Sequence, residues 1–270
     1  QNQRWAAVYA YAISGATAMV YQVLWTRALA IVLGSSIYSF TLILLAFLIG
    51  LAGGAAVVTR LLPRIERPVL VLALVHGLTL LTAGYSYLTI DRLPELFLII
   101  LRGGSFSVDE LLIAQFVLAA LAMLPATLAM GAVMPLTMRI YTATADGAGR
   151  DVGVAYALNT MGAIVGSFAA GFVVLPVLGL QRGLLMCSAM TAGLSALLLW
   201  IAEPTQDSFA EGTTEEGSEE ASTLPRRVFL KSAHSRRVFA LGIIGATVLF
   251  MQFSPRWNLS HFSAGLFRIS

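Results

Sequence analysis

Long apolar runs constrain this chain more than any other feature. From residue 5 onward it is a succession of nearly uncharged stretches of about 20 residues or more, separated by short patches of arginine, proline and glycine. A helix of about 20 apolar residues crosses the ~30 Å hydrocarbon layer of a bilayer, and a soluble core in a chain of this size cannot hide several such runs. Hydrophobic residues make up 58% of the chain and charged residues 11%, where a soluble domain carries about 25% charged. The expected fold class is therefore all-α: a polytopic transmembrane helical bundle of about seven spans.

The spans are expected at 5–33, 36–59, 68–90, 108–141, 152–178, 182–201 and 237–254. Gly34-Ser35-Ser36 marks a turn between the first two. Pro63 and Pro68 bracket a basic connection. Ser107-Val108-Asp109-Glu110 has the form of a capping box opening the fourth span, in which Pro125 and Pro135 predict a kink or break. Residues 91–102, DRLPELFLIILR, read as a separate short helix lying in the interface. Gly179 and Gly183 divide spans five and six. The resulting domains are a six-span bundle (1–202), an acidic then basic cytoplasmic linker (203–236), the seventh span (237–254) and an extracytoplasmic tail (255–270).

Lysine and arginine placement predicts orientation, because cytoplasmic flanks collect them. With the N-terminus in the cytoplasm, eleven of the seventeen cations fall inside and five outside, with Arg27 left aside. This predicts a multi-pass membrane protein with its C-terminus on the side away from the cytoplasm. Trp5 and Trp25, 20 residues apart, are placed to mark the two interfaces of the first span, with Trp200 at the inner and Trp257 at the outer interface. The net charge of +3 belongs to membrane flanks and is not a nucleic-acid signal. The expected partners are the lipid bilayer and other membrane subunits, or further copies of the chain.

No phosphate-binding glycine loop, zinc-binding H-E-x-x-H or intramembrane carboxylate pair occurs in the sequence, and the single Cys187 suggests neither disulfide nor metal site. No catalytic residue, cofactor or metal is assigned. The polar candidates within the spans are Gln22, Arg27, His76 and Asn159. Arg27 can reach headgroups with its long stem, or lie partly buried against an interior partner drawn from Tyr21, Gln22 and Asn159. His76 reads as a helix–helix hydrogen bond. Small residues at four-residue spacing, Gly50 with Gly54 and Gly162 with Gly166, predict close helix packing within the chain or between copies.

Residues 203–224 hold seven acids and no base, the composition of a disordered linker. Arg226-Arg227-Val228-Phe229-Leu230-Lys231 then matches the twin-arginine export pattern at Arg226, Arg227, Phe229, Leu230 and Lys231, and is otherwise a positive-inside flank.

Three stretches resemble a known family: SGATAMVYQVLWTRALAIVLGSSIYSF (14–40), LPATLAMGAVMPLTMR (124–139) and YALNTMGAIVGSFAAGFVVLPVLGL (156–180). They are similar to the membrane half of the bacterial fused spermidine-synthase-like proteins, in which a multi-span, major-facilitator-like half precedes an aminopropyltransferase-like domain. The tail PRWNLSHFSAGLFRIS is similar to the segment leading into that domain. Where the family commonly has glutamate, this chain has Gln22. The resemblance implies that a nucleotide-binding loop and catalytic aspartate follow Ser270, so no catalytic residue falls within 1–270. The expected function is a membrane anchor or scaffold for a polyamine aminopropyltransferase-like protein. The alternatives are a structural subunit of a larger membrane complex and, third, a small-solute transporter.

Overall fold

The structure, a computed structural model, describes residues 2–102, 107–142, 147–202, 233–255 and 257. The described residues form helices α1 (Asn2–Leu33), α2 (Ile37–Leu61), α3 (Pro68–Arg102), α4 (Val108–Gly131), α5 (Val133–Tyr141), α6 (Ala148–Ala169), α7 (Gly179–Ile201) and α8 (Ala233–Phe253). A 3-10 turn, Leu62–Arg64, extends α2, and a π-helical segment, Ala170–Leu178, extends α6. Among the described residues, six continuous helical stretches are long and apolar enough to cross a membrane. The protein is a polytopic helical membrane protein, and its outer faces contact lipid.

The stretch Ala148–Ile201 counts as one of those six but makes two passes. Straight, its 54 residues would run for about 81 Å. Yet the Arg4 guanidinium reaches Asp151 at 3.3 Å, and the Gln3 amide donates to Ile201 O at 3.2 Å. Both ends of the stretch therefore lie beside the start of α1. The chain reverses at Gly179, whose φ of +72° is one that side chains disfavour. Pro176 just before it cannot donate to the helical ladder, and the backbone there runs as a π-helix.

The other punctuation follows the sequence closely. Gly34, at φ +95°, ends α1, and Ser36 caps α2 by accepting from Ser39 N at 3.0 Å. Ser107 and Glu110 form the reciprocal capping box. The fourth span breaks at Ala132 between α4 and α5. One expectation fails. Residues 91–102 are not a separate interfacial helix but the continuation of α3, with Pro94 accommodated inside it. A helix of 35 residues is about 52 Å long, well over the hydrocarbon thickness. Ile90, Leu93 and Phe97 anchor its far part in the same buried cluster as Leu24 and Trp25.

Helices α1, α3, α4 and α7 supply most of the buried side chains, while α2, α6 and α8 keep wide apolar faces exposed. Two parallel pairs organise the bundle. Gly162 and Gly166 of α6 sit on the Ala12 and Ala16 backbone of α1, and Gly50 and Gly54 of α2 sit on Thr127 and Leu128 of α4. Gly131 of α4 returns the contact on the Leu51 carbonyl. Such approaches leave no volume for a Cβ and give lipid-embedded helices their van der Waals contact. The last helix packs on α3 and α7: Phe250 meets Tyr87 edge-on at 5.6 Å, and the Arg237 guanidinium lies 4.8 Å from the Trp200 ring centroid.

Candidate functional site

The buried core is divided in two. One cluster gathers Ala7, Val8, Leu72, Val133, Leu136 and Leu198 at the end bearing the N-terminus. The other gathers Leu24, Trp25, Ile43, Ile90, Met123 and Leu184 toward the opposite end. On α1, α3 and α7 the buried residues between the two clusters are polar: Thr17, then His76 and Thr79, then Ser188 and Thr191. Thr247 on α8 falls in the same interval. The bundle thus has a polar waist at mid-depth.

Most of the waist is internally satisfied. Thr17, Thr79, Ser188, Thr191 and Thr247 each donate to the carbonyl four residues earlier, at 2.7–3.1 Å. Two bonds cross between helices. The Tyr21 hydroxyl pairs with Ser188 Oγ at 3.1 Å, tying α1 to α7. Ser195 Oγ donates to Ala73 O at 2.8 Å, tying α7 to α3. His76 is the exception. It is 2% exposed and its Nδ1 lies 2.9 Å from Leu72 O, but its Nε2 is buried without a partner among the described residues. The expected helix–helix bond from His76 is therefore replaced by a bond to its own helix. An ionisable side chain carried at this depth in its charged form costs roughly 3 kcal/mol, so such residues are rare in spans.

The remaining candidates are dispersed. Arg27 is exposed and no described residue bonds it, so Tyr21, Gln22 and Asn159 do not serve as its interior partners. Gln22 is half-buried. Asn159 is half-buried and presses its side chain and carbonyl against Gly15, where a Cβ would have no space. The twin-arginine candidate Arg226, Arg227, Phe229, Leu230 and Lys231 lies outside the described residues. The tryptophans divide. Trp5 and Trp200 are exposed, but Trp25 is fully buried and stacks on Tyr21 at 5.0 Å, and Trp257 is buried against Tyr87 at 5.0 Å. Spacing alone placed Trp25 at an interface. The helix face it occupies points at the core instead.

Three further polar clusters lie at the two ends of the bundle. At the N-terminal end Arg4 donates to Tyr141 O (2.8 Å from Nε), pairs with Asp151 and lies 5.4 Å from the Tyr141 ring centroid. At the far end Gln115 amide N donates to Leu33 O at 3.1 Å while its carbonyl accepts from Ser39 at 3.2 Å. There too Tyr87 hydroxyl and Gln181 amide both donate to Pro255 O at 2.8 Å, and Gln181 also reaches the Tyr87 hydroxyl. Each joins segments far apart in sequence, so no local pattern announces it.

Comparison with known protein families matches residues 81–253, well over half of the chain, to the PUCC protein family. The chain belongs to that family. The match runs from the middle of α3 through α8, so the whole polar cluster on α7 and the seam helix α6 fall inside it. No curated protein matches the chain, and no solved structure does. Membership in the PUCC protein family overturns the resemblance to the spermidine-synthase-like proteins, and with it the polyamine and aminopropyltransferase expectations. The physical source of the mistaken likeness is visible. Two of the stretches that carried it, 14–40 and 156–180, contain the packed surfaces of α1 and α6, where close backbone approach at Gly15, Gly162 and Gly166 demands small residues whatever the protein does.

Proposed function

We propose that this PUCC-family protein is a docking subunit of a larger membrane assembly. It would reside in the bacterial cytoplasmic membrane, with its N-terminus in the cytoplasm and the segment after α8 outside. One observation carries the reading. The α6–π unit is held on one side by glycine contacts to α1, while its other side presents Phe168 and Phe172, stacked at 4.5 Å and 64% and 70% exposed. Ile164, Val165, Val173 and Val177 continue that face. A ridge of paired rings on an edge helix offers another transmembrane helix rigid, shaped contact area, and packing of this kind drives association where lipid removes the hydrophobic advantage. The supporting orientation argument is the excess of arginine and lysine at one set of loops.

The test is site-specific photo-crosslinking in native membranes from positions 165 and 173. Discrete protein adducts, lost in Phe168→Ala/Phe172→Ala, are expected. Adducts with lipid alone at both positions would remove the proposal.

The polar waist favours a second reading, transport of a small solute or proton, because substrate sites of transporters lie near the bilayer midplane. Its signature is uptake into sealed vesicles that disappears in His76→Leu while the protein remains folded and inserted. Vesicles that behave identically with either residue would dismiss it.

A further inference from the structure

At the N-terminal end of the bundle a cleft of about 600 Å³ opens between the end of α2 and α5. It is lined by Thr59, Leu62, Pro63, Pro135, Met138 and Arg139. The lining is almost entirely hydrocarbon, with one guanidinium. Arg60 and Arg64 each stand one residue from a lining residue, both exposed, and half-buried Arg67 follows on the same connection. None of these four arginines makes an ion pair among the described residues. The carboxylate in the connection, Glu66, is exposed and pairs with none of them. One arginine thus lines an apolar slot at the end of two helices, and three more stand close to it in sequence.

We infer that this cleft is a binding site for an anionic glycerophospholipid, with Arg139, Arg60 and Arg64 holding the phosphodiester and Leu62, Pro63, Pro135 and Met138 receiving the start of an acyl chain. The chemistry matches on both counts. Guanidinium groups recognise phosphate oxygens by charge-assisted, often bidentate hydrogen bonds. Basic pockets between spanning helices suit headgroups of negative lipids. A free phosphate would satisfy the arginines but leave the apolar wall unused, and a zwitterionic lipid would fill the wall but bring no net negative charge. The local backbone shapes the slot. Pro63 sits in the 3-10 turn that ends α2, and Pro135 sits in the first turn of α5, just past the break at Ala132. Both rings give the opening a stiff lip.

The experiment uses the full chain in nanodiscs of phosphatidylcholine alone and of phosphatidylcholine with phosphatidylglycerol, with thermal unfolding and native mass spectrometry as readouts. Phosphatidylglycerol is expected to raise the unfolding temperature and to remain bound after detergent extraction. Each of Arg64→Gln and Arg139→Gln should weaken its retention about fivefold, as expected for one basic side chain at an anionic surface. Arg182→Gln, exposed at the other end of the bundle, is the control and should retain the lipid fully. The proposal is overturned if the two cleft variants retain phosphatidylglycerol as the parent does. It is equally overturned if inorganic phosphate added to phosphatidylcholine discs reproduces the whole stabilisation. Binding that falls as much in Arg182→Gln as in Arg139→Gln would show general charge attraction and also defeat it.

Discussion

Helices α6 and α8 both lie at the edge of the bundle, and both carry glycines at helical spacing. On α6, Gly162 and Gly166 rest against the backbone of α1. On α8, Gly242 and Gly245 meet nothing. Composition does not distinguish them. The difference lies in which face each helix turns inward: α8 packs through Ala240, Ile243, Thr247 and Phe250, while its glycines are exposed. A small-residue pattern marks a place where helices could approach closely, and only the arrangement of neighbours decides whether they do.

That contrast can be broken most directly by adding side chains. Gly166→Leu and Gly54→Leu would drive a side chain into the Ala16 or Leu128 backbone. Each should lower stability by about 3 kcal/mol or more, the upper range for overpacking, or prevent accumulation of folded protein in the membrane. Gly242→Leu on α8 should be tolerated. If the three behave alike in a denaturation series, the packed-versus-open distinction is wrong.

The waist offers a sharper version within the core. Ser195→Ala removes a bond between α7 and α3 and should cost about 0.6 kcal/mol, and at most about 1.7, as for other interhelical bonds in membranes. His76→Leu removes a buried nitrogen that has no partner among the described residues. Replacing an unsatisfied buried polar group by an apolar one of similar shape should leave stability unchanged or raise it by about 1 kcal/mol. Steady-state unfolding in detergent reads both. A large loss on His76→Leu would show that Nε2 is satisfied in the membrane by a group the fold admits from outside. The smallest effect is expected at Gly242→Ala, a gain of roughly 0.5 kcal/mol from backbone entropy alone. Loss of stability there would place a partner on the α8 face.

Much of the fold was legible because the bilayer imposes a one-dimensional rule. Apolar length gives the spans, and Gly34, the Ser107–Glu110 capping box and Gly179 give their ends. The misreading of 91–102 came from treating a charged, proline-bearing stretch as a break. Pro94 removes one donor, but Ile90, Leu93 and Phe97 stay buried on one face and carry the helix through. The candidate site was less legible. His76 was found from sequence because an ionisable residue in an apolar run is conspicuous. Its companions Thr17, Thr79, Ser188, Thr191 and Ser195 were not, since serine and threonine are common in membrane helices and each signals nothing alone. Tyr21 was seen only as a possible neighbour of Arg27, and its bond to Ser188, 167 residues away, is a product of α1 lying against α7.

The sequence by itself determined that this chain is a bundle of membrane-crossing helices and roughly where each begins, because hydrogen-bonded helices are the solution available to long apolar segments in lipid. Tertiary structure alone decided which glycines sit at helix contacts, that Trp25 faces the core and Arg27 does not, and that polar residues from separate helices meet in one waist. Those outcomes depend on how each helix is rotated about its axis. Rotation is set by the sum of many small contacts with neighbours distant in sequence, and no single segment encodes it.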